Sequence, residues 1–169
     1  FDESVQHDRW GLIAKGEHLD ELHVLAKAVI EDHTFGVVVK SQFVINSPSQ
    51  LYPNDSLLLE AKATGRYLEL LEGKHRNDIY PSEAALMADL CISQKYGATA
   101  ALEAALAGVR TVLVNKHGAK TPWDHLYNNA DIEFESIQCV MEKTSEFRSV
   151  NSDESPLGDW SSILSEFDP

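Results

Sequence analysis

Apolar residues recur along the chain in two rhythms that take turns. From Glu17 to Asp32 the apolar positions Leu19, Leu22, Leu25, Ala26, Val29 and Ile30 keep helical spacing, with Glu21 and Glu31 toward solvent. Phe35 to Val44, FGVVVKSQFV, is nearly continuously apolar and predicts a strand buried on both faces. Asn46 to Asp55 carries Pro48, Pro53 and several turn formers, which predicts a loop. Leu57 to Thr64 predicts a short helix, capped by Asn54, Asp55 or Ser56 and stopped by Gly65. Tyr67 to Leu71 predicts a strand, Glu72 to Asn77 a charged loop, and Tyr80 to Ala88 a helix opened by Pro81-Ser82-Glu83.

The chain is organised around Ala88 to Asn115, ADLCISQKYGATAALEAALAGVRTVLVN. Leu90 to Ser93 reads as a buried parallel strand and Gln94 to Gly97 as a loop. Ala98 to Ala107 reads as a helix, since alanine loses no side-chain entropy there. Gly108 stands where a left-handed C-cap ends such a helix, and Thr111 to Val114 reads as the next buried strand. Together they predict a βαβ unit. Downstream, Lys116 to Asp124 predicts a loop and Trp123 to Asn128 a turn of helix. Ile132 to Phe134 predicts a short edge strand, and Ser136 to Phe147 a helix. Ser149 to Pro156 predicts a loop, and Leu157 to Pro169 holds a last amphipathic piece with Trp160, Ile163, Leu164 and Phe167. Near the start, Trp10 to Ala14 is an apolar patch, read either as a first strand or as a docking segment. The alternation of strand and helix, without internal repeats, predicts a single α/β domain over 1–169. Its expected form is a Rossmann-like three-layer α/β/α arrangement with a mostly parallel sheet.

Composition narrows the function classes. The 169 residues suffice for one sizeable core, and 43% hydrophobic with 24% charged residues is ordinary for a globular protein. A net charge of −13 argues against a general nucleic-acid surface, which needs a basic stripe, but leaves room for one local phosphate site. Cys91 and Cys139 do not form a disulfide framework; reduced and buried thiols are expected. No apolar run approaches the roughly 18 residues of a membrane span. The chain opens on Phe1, and the expectation is a piece of a longer, two-domain protein.

The candidate chemistry lies at the start of the alanine-rich helix. Amides of residues 97 to 100 lack intrahelical partners, and the helix dipole adds partial positive charge there. Gly97 and Ala98 let an anion approach the backbone, and Thr99 offers a hydroxyl. Glu103, four residues on, shares a face with Thr99 and suits a ribose diol. The competing reading needs no ligand: Ala98, Ala101, Ala105 and Gly108 pack a helix tightly on a sheet, and Glu103 is a solvated carboxylate. Lys40, ending Val37-Val38-Val39-Lys40, is a candidate diphosphate-binding cation or a lysine leaving the sheet into solvent.

The residues 88–93, Gly97-Ala98-Thr99, Glu103 to Gly108 and Thr111 to Val114 resemble the donor-binding half of GT-B glycosyltransferases. The stretch is similar, more loosely, to bacterial enzymes that build surface polysaccharides. The ending Leu157-Gly158-Asp159-Trp160, with Asp168-Pro169, resembles the tail of that group. The resemblance implies that Gly97, Ala98, Thr99 and Glu103 hold a nucleotide diphosphate sugar. It also implies a missing N-terminal acceptor domain that supplies the catalytic base. A chain of this extent is then expected to bind the donor weakly and turn nothing over. The expected location is cytoplasmic, at the inner face of a bacterial membrane if the parent protein associates with it peripherally. No cofactor and no metal are expected. The loop Gln94-Lys95-Tyr96-Gly97 departs from the usual run of glycines and serines. A nucleotide-sugar epimerase of the same architecture and a non-catalytic interaction domain are the alternatives.

Other side chains carry less. Lys95 and Lys116 follow the two strands of the organising unit and either face the same crevice or are plain loop lysines. Arg66 and Arg76 flank the Tyr67 strand, and Tyr96 either stacks on a base or packs half-buried. The seven histidines show no zinc spacing; His117 alone follows a strand of the proposed cleft. No nucleophile elbow, P-loop or acid pair is present.

Overall fold

The computed structural model describes residues 14–96, 98–121, 124–127, 131–149 and 155–165. Trp10 to Ile13 of the early apolar patch, Gly97, Trp123 and Phe167 lie outside the described residues. The chain divides into two compact units, Phe1–Tyr80 and Pro81–Pro169. Each is α/β and each is built on parallel strands.

In the first unit, α1 (Lys15–Glu31) buries Leu22, Ala26 and Val29 along one stripe, as the helical spacing predicts. β1 (Val37–Lys40) and β2 (Tyr67–Leu70) pair in parallel from Val37 opposite Tyr67 to Lys40 opposite Leu70. Between them α3 (Ser56–Ala63) starts at Asp55, whose carboxylate accepts the Leu58 amide at 3.0 Å, and gives way to Gly65. Leu22, Ala26, Val29, Val39, Leu58, Ala61 and Tyr67 form the core. Burying one such Leu or Val side chain stabilises by about 1.5–3 kcal/mol.

Two expectations fail in this unit. The Phe35–Val44 run does not make one long strand: only four residues pair, because β2 offers only four partners. Beyond Lys40 the chain turns, and Phe43 meets Arg76 in an isolated antiparallel bridge. The Asn46–Asp55 stretch is not all loop. A 3-10 turn spans Val44–Asn46, and a one-turn helix α2 (Pro48–Leu51) follows, with Pro48 at its first position, where a missing N–H costs nothing.

In the second unit, α4 (Pro81–Ala85) is followed by β3 (Cys91–Gln94), α5 (Thr99–Leu106) and β4 (Thr111–Val114). α6 (Asp124–Tyr127), β5 (Glu133–Phe134), α7 (Ile137–Ser149) and α8 (Ser161–Leu164) complete it. The sheet order is β3-β4-β5, all parallel, with Cys91 opposite Thr111 and Leu113 opposite Glu133. Every residue of β4 is buried, so both faces of the central strand are covered. Ala101 and Ala105 of α5 pack with Leu113, Ile132, Trp160 and Ile163, while α7 packs along β4 and β5. The helix α4 is shorter than the Tyr80–Ala88 pattern predicts.

The tail segment Leu157–Trp160 is sewn to the amino edge of this sheet. The Gly158 amide donates to Asp131 O at 2.8 Å, and Gly158 O accepts from the Thr111 amide at 2.9 Å. Gly158 has φ +64°, and an added Cβ would lie 2.8 Å from Thr111 N. Glycine is therefore required both by the left-handed backbone and by the close approach. Arg110 Nη1 donates to the carbonyls of Ser155 and Leu157 at 2.7 and 2.8 Å.

Candidate functional site

The alanine-rich helix forms where the sequence places it. Ala98 is its N-cap, with φ −60° and ψ 16°, and its methyl offers no capping hydrogen bond. The first intrahelical bond runs from the Leu102 amide to Ala98 O at 2.9 Å. The amides of the opening turn therefore have no partner within the helix and no capping side chain from Ala98. Ala98 is half-buried and packs beside the Ala101–Ala105–Leu113 cluster. Gly108, with φ +82° and open space around it, closes the other end in the left-handed cap.

Thr99 is exposed and Glu103 half-buried. Ala101, Ala104 and Ala105 form the buried face of α5, and the helical repeat puts Thr99 and Glu103 together on the opposite stripe. Helical Cα–Cβ bonds lean toward the N-terminus, so the Cβ of Glu103 leans toward the turn that Thr99 opens. The pairing of hydroxyl and carboxylate on one stripe is thus present, and that stripe faces away from the sheet. Gly97 lies outside the described residues. Lys40 is in the first unit, where it ends β1 and is buried rather than leaving for solvent.

The carboxyl edge of the second sheet holds an ionic network that sequence reasoning missed. Lys95 is neither a loop lysine in water nor a cation open to the edge, because it is only 4% exposed. Its Nζ lies 2.7 Å from Glu133 Oε2 and 3.0 Å from Asp124 Oδ1. Burial disfavours the ammonium, but the Glu133 and Asp124 carboxylates outweigh it and raise the Lys95 pKa above 10.5. Asp124 Oδ1 also accepts from the Thr121 amide at 2.9 Å and the Thr121 hydroxyl at 2.8 Å. Those two bonds, then Lys95, hold the Asp124 carboxyl down at about 2. Glu133 Oε1 accepts from Asn115 Nδ2 at 2.6 Å. Asn115 in turn closes the loop after β4, its Oδ1 accepting the Ala119 amide at 2.7 Å. Among the described residues, then, the buried Lys95 ammonium is paired with two carboxylates of its own unit.

The remaining candidates divide between structure and surface. Arg66 is spent on main-chain carbonyls, with Nη2 on Val29 O at 2.6 Å and Nε on Phe35 O at 3.3 Å. Arg76, Lys116 and His117 are exposed, and so is Tyr96, which does not pack half-buried. His18 bonds the Tyr52 hydroxyl and His23 bonds Asp55, each at 2.9 Å. Both cysteines are free; Cys91 is buried, and that burial pushes its thiol pKa up, while Cys139 is half-buried beside Ser136. Among the described residues no group of three or more His, Cys, Asp or Glu side chains is placed to hold a metal ion. Nor is any described helix long and apolar enough to cross a membrane. Comparison with protein-family models, with curated proteins and with solved structures finds no match for this chain.

Proposed function

We propose that the second unit is the nucleotide-diphosphate-sugar-binding part of a GT-B-like glycosyltransferase, of the kind that builds bacterial surface polysaccharide. The observation that carries this reading is the opening of α5. It follows a parallel strand, starts at a residue without a capping side chain, and sets Thr99 and Glu103 on one stripe. Such an opening suits the diphosphate, and the carboxylate one turn on suits the ribose diol. In the transfer itself, an acceptor hydroxyl attacks the anomeric carbon and the nucleoside diphosphate leaves. The α5 amides would stabilise the charge that develops on that leaving group. The acceptor and the base that deprotonates it belong to another part of the parent enzyme.

The test is a thermal-shift panel of UDP-, GDP-, CDP- and CMP-linked sugars. A ligand held by the folded state at a hundredfold its Kd adds about 2.7 kcal/mol, a rise of several degrees. E103A should abolish the shift and leave the melting curve of the free protein in place. A panel without any shift overturns the reading.

One observation favours a second reading, a non-catalytic interaction domain. Leu102 and Leu106 on α5, with Leu86 and Met87 just after the neighbouring α4, are exposed apolar side chains. Under that reading no nucleotide shifts the melt, and L102E/L106E keeps the monomer fold while abolishing association.

A further inference from the structure

We propose that the outward side of the α4–α5 pair docks a cationic amphipathic helix, whose apolar stripe meets exposed leucines and a methionine while its lysines or arginines meet an acidic rim. The inference deepens the interaction reading above and does not depend on nucleotide binding. α5 turns Ala101, Ala104 and Ala105 inward and leaves Leu102 and Leu106, one turn apart, exposed. α4 packs against α5 and keeps Ala84 and Ala85 buried. The turn that closes α4 is tied by the Leu86 amide on Ser82 O at 3.3 Å and the Met87 amide on Ala84 O at 3.1 Å. It leaves Leu86 70% and Met87 56% exposed, beside 66% for Leu106. The two helices are about 8 and 12 Å long, and packed axes lie roughly 8–10 Å apart. The four side chains therefore fall within the span of a partner helix of four turns, about 22 Å.

Charge decides which occupant fits. Glu83 and Asp89 are exposed on the same elements, and Glu103 is half-buried. Between Tyr80 and Val109 the only lysine or arginine is Lys95, which is buried and paired with Glu133 and Asp124. Among the described residues of the second unit, the exposed lysines and arginines stand after β4, at Lys116 and Lys120, and on α7, at Lys143 and Arg148. A second copy would bring acid against acid in a chain of net charge −13, and an anionic lipid surface is repelled for the same reason. The side of a helix offers no open strand edge, so side chains make the contact rather than an added strand. Apolar anchors at i, i+3 and i+4, flanked by lysine or arginine, satisfy both the leucines and the rim.

The test uses the 169-residue chain and a labelled peptide of about 18 residues, with leucines on one helical face and lysines on the other. Binding is read by fluorescence anisotropy and peptide helicity by circular dichroism. Two further peptides keep the leucines and carry glutamine or glutamate in place of lysine. The lysine peptide should bind and gain helicity, and the other two should bind at least roughly tenfold more weakly. L102E/L106E should raise the Kd of the lysine peptide about tenfold or more, and E83K/D89K about fivefold or more. E135K/E142K, the same charge change beside and on α7, should alter it less than about twofold. L86E/M87E carries the apolar half of the test if L102E/L106E does not fold. Equal binding of the three peptides, or equal losses from the two charge reversals, overturns the cationic partner and leaves the interaction reading standing. Self-association in sedimentation, blocked by L102E/L106E, makes the occupant a second copy and overturns the proposal. A chain that stays monomeric and binds none of the peptides overturns the proposal and the interaction reading together.

Discussion

The indole Nε1 of Trp160 donates to the main-chain carbonyl of Thr111 across 2.7 Å, inside the core of the second unit. Thr111 is fully buried and Trp160 nearly so. W160F keeps most of the apolar ring but leaves that carbonyl without its donor. An orphaned buried acceptor costs about 1–3 kcal/mol, and the cavity left by the smaller ring adds to it. Urea unfolding should show a lower midpoint with an unchanged slope.

Of the left-handed glycines in the second unit, Gly108 and Gly158 separate strain from collision. G108A meets open space, so its cost is that of an alanine at φ +82°, about 1–2 kcal/mol. G158A incurs the same kind of strain at φ +64° and also drives a methyl to 2.8 Å from Thr111 N and 3.2 Å from a Leu90 methyl. It should lose clearly more than G108A in the same urea experiment. Equal losses would show that the tail can move off β4 freely.

Asp55 serves the first unit twice, capping α3 through Leu58 and bonding His23 at 2.9 Å. Burial raises its pKa, but the Leu58 amide and His23 outweigh that and leave it lowered. D55A removes both roles and should cost about 1–2 kcal/mol. D55S keeps a capping oxygen and gives up the reach to His23, so it should recover more than half of that loss in thermal or urea melts.

Asp124 gives the second unit an acid dependence. Its folded pKa of about 2 lies below the ordinary 3.8. Its contribution is therefore present above about pH 4 and is lost as pH falls toward 2, where the carboxyl protonates in the folded state too. Lys95 acts in the other direction: with a folded pKa raised above 10.5, its contribution holds below that pH and is lost as pH rises through the folded value. The stability gap between wild type and D124N should be flat from pH 5 to 8 and close on descent to pH 2. A gap that stays open at pH 2 removes the assigned role of Thr121 and Lys95 in holding the carboxylate.

Local rules made much of this fold legible before any coordinates. The stripe of Leu22, Ala26 and Val29, a cap at one of Asn54, Asp55 and Ser56, the alanine helix and the buried Thr111–Val114 strand all follow from spacing and cap chemistry within one element; that Asp55 is the capping residue needed the structure. What escaped depends on partners distant in the chain. Lys95 reads as a loop lysine because Glu133, its nearest charge, is 38 residues away. The only hint was its position, directly after a buried strand, where a carboxylate from a neighbouring strand is within reach. Phe35 to Val44 reads as one strand because apolarity cannot reveal that the neighbouring strand ends after Leu70. Pro48 reads as loop punctuation although it opens a helix, since the same residue serves both ends of that boundary. At the candidate site, the Thr99 and Glu103 stripe was readable from helical spacing; that it points away from the sheet needed the burial of Ala104 and Ala105.

The stitch between Gly158 and Thr111 also sets the order of events during synthesis. Strand β4 leaves the ribosome well before the glycine that caps its first amide. Until residues 157–164 have emerged, the Thr111 carbonyl waits for its indole, and Leu113 and Ile132 lack the cover of Trp160 and Ile163. The second unit therefore completes its core only once α8 has been made, and a nascent chain stalled before Leu157 would expose that half-built sheet to chaperones.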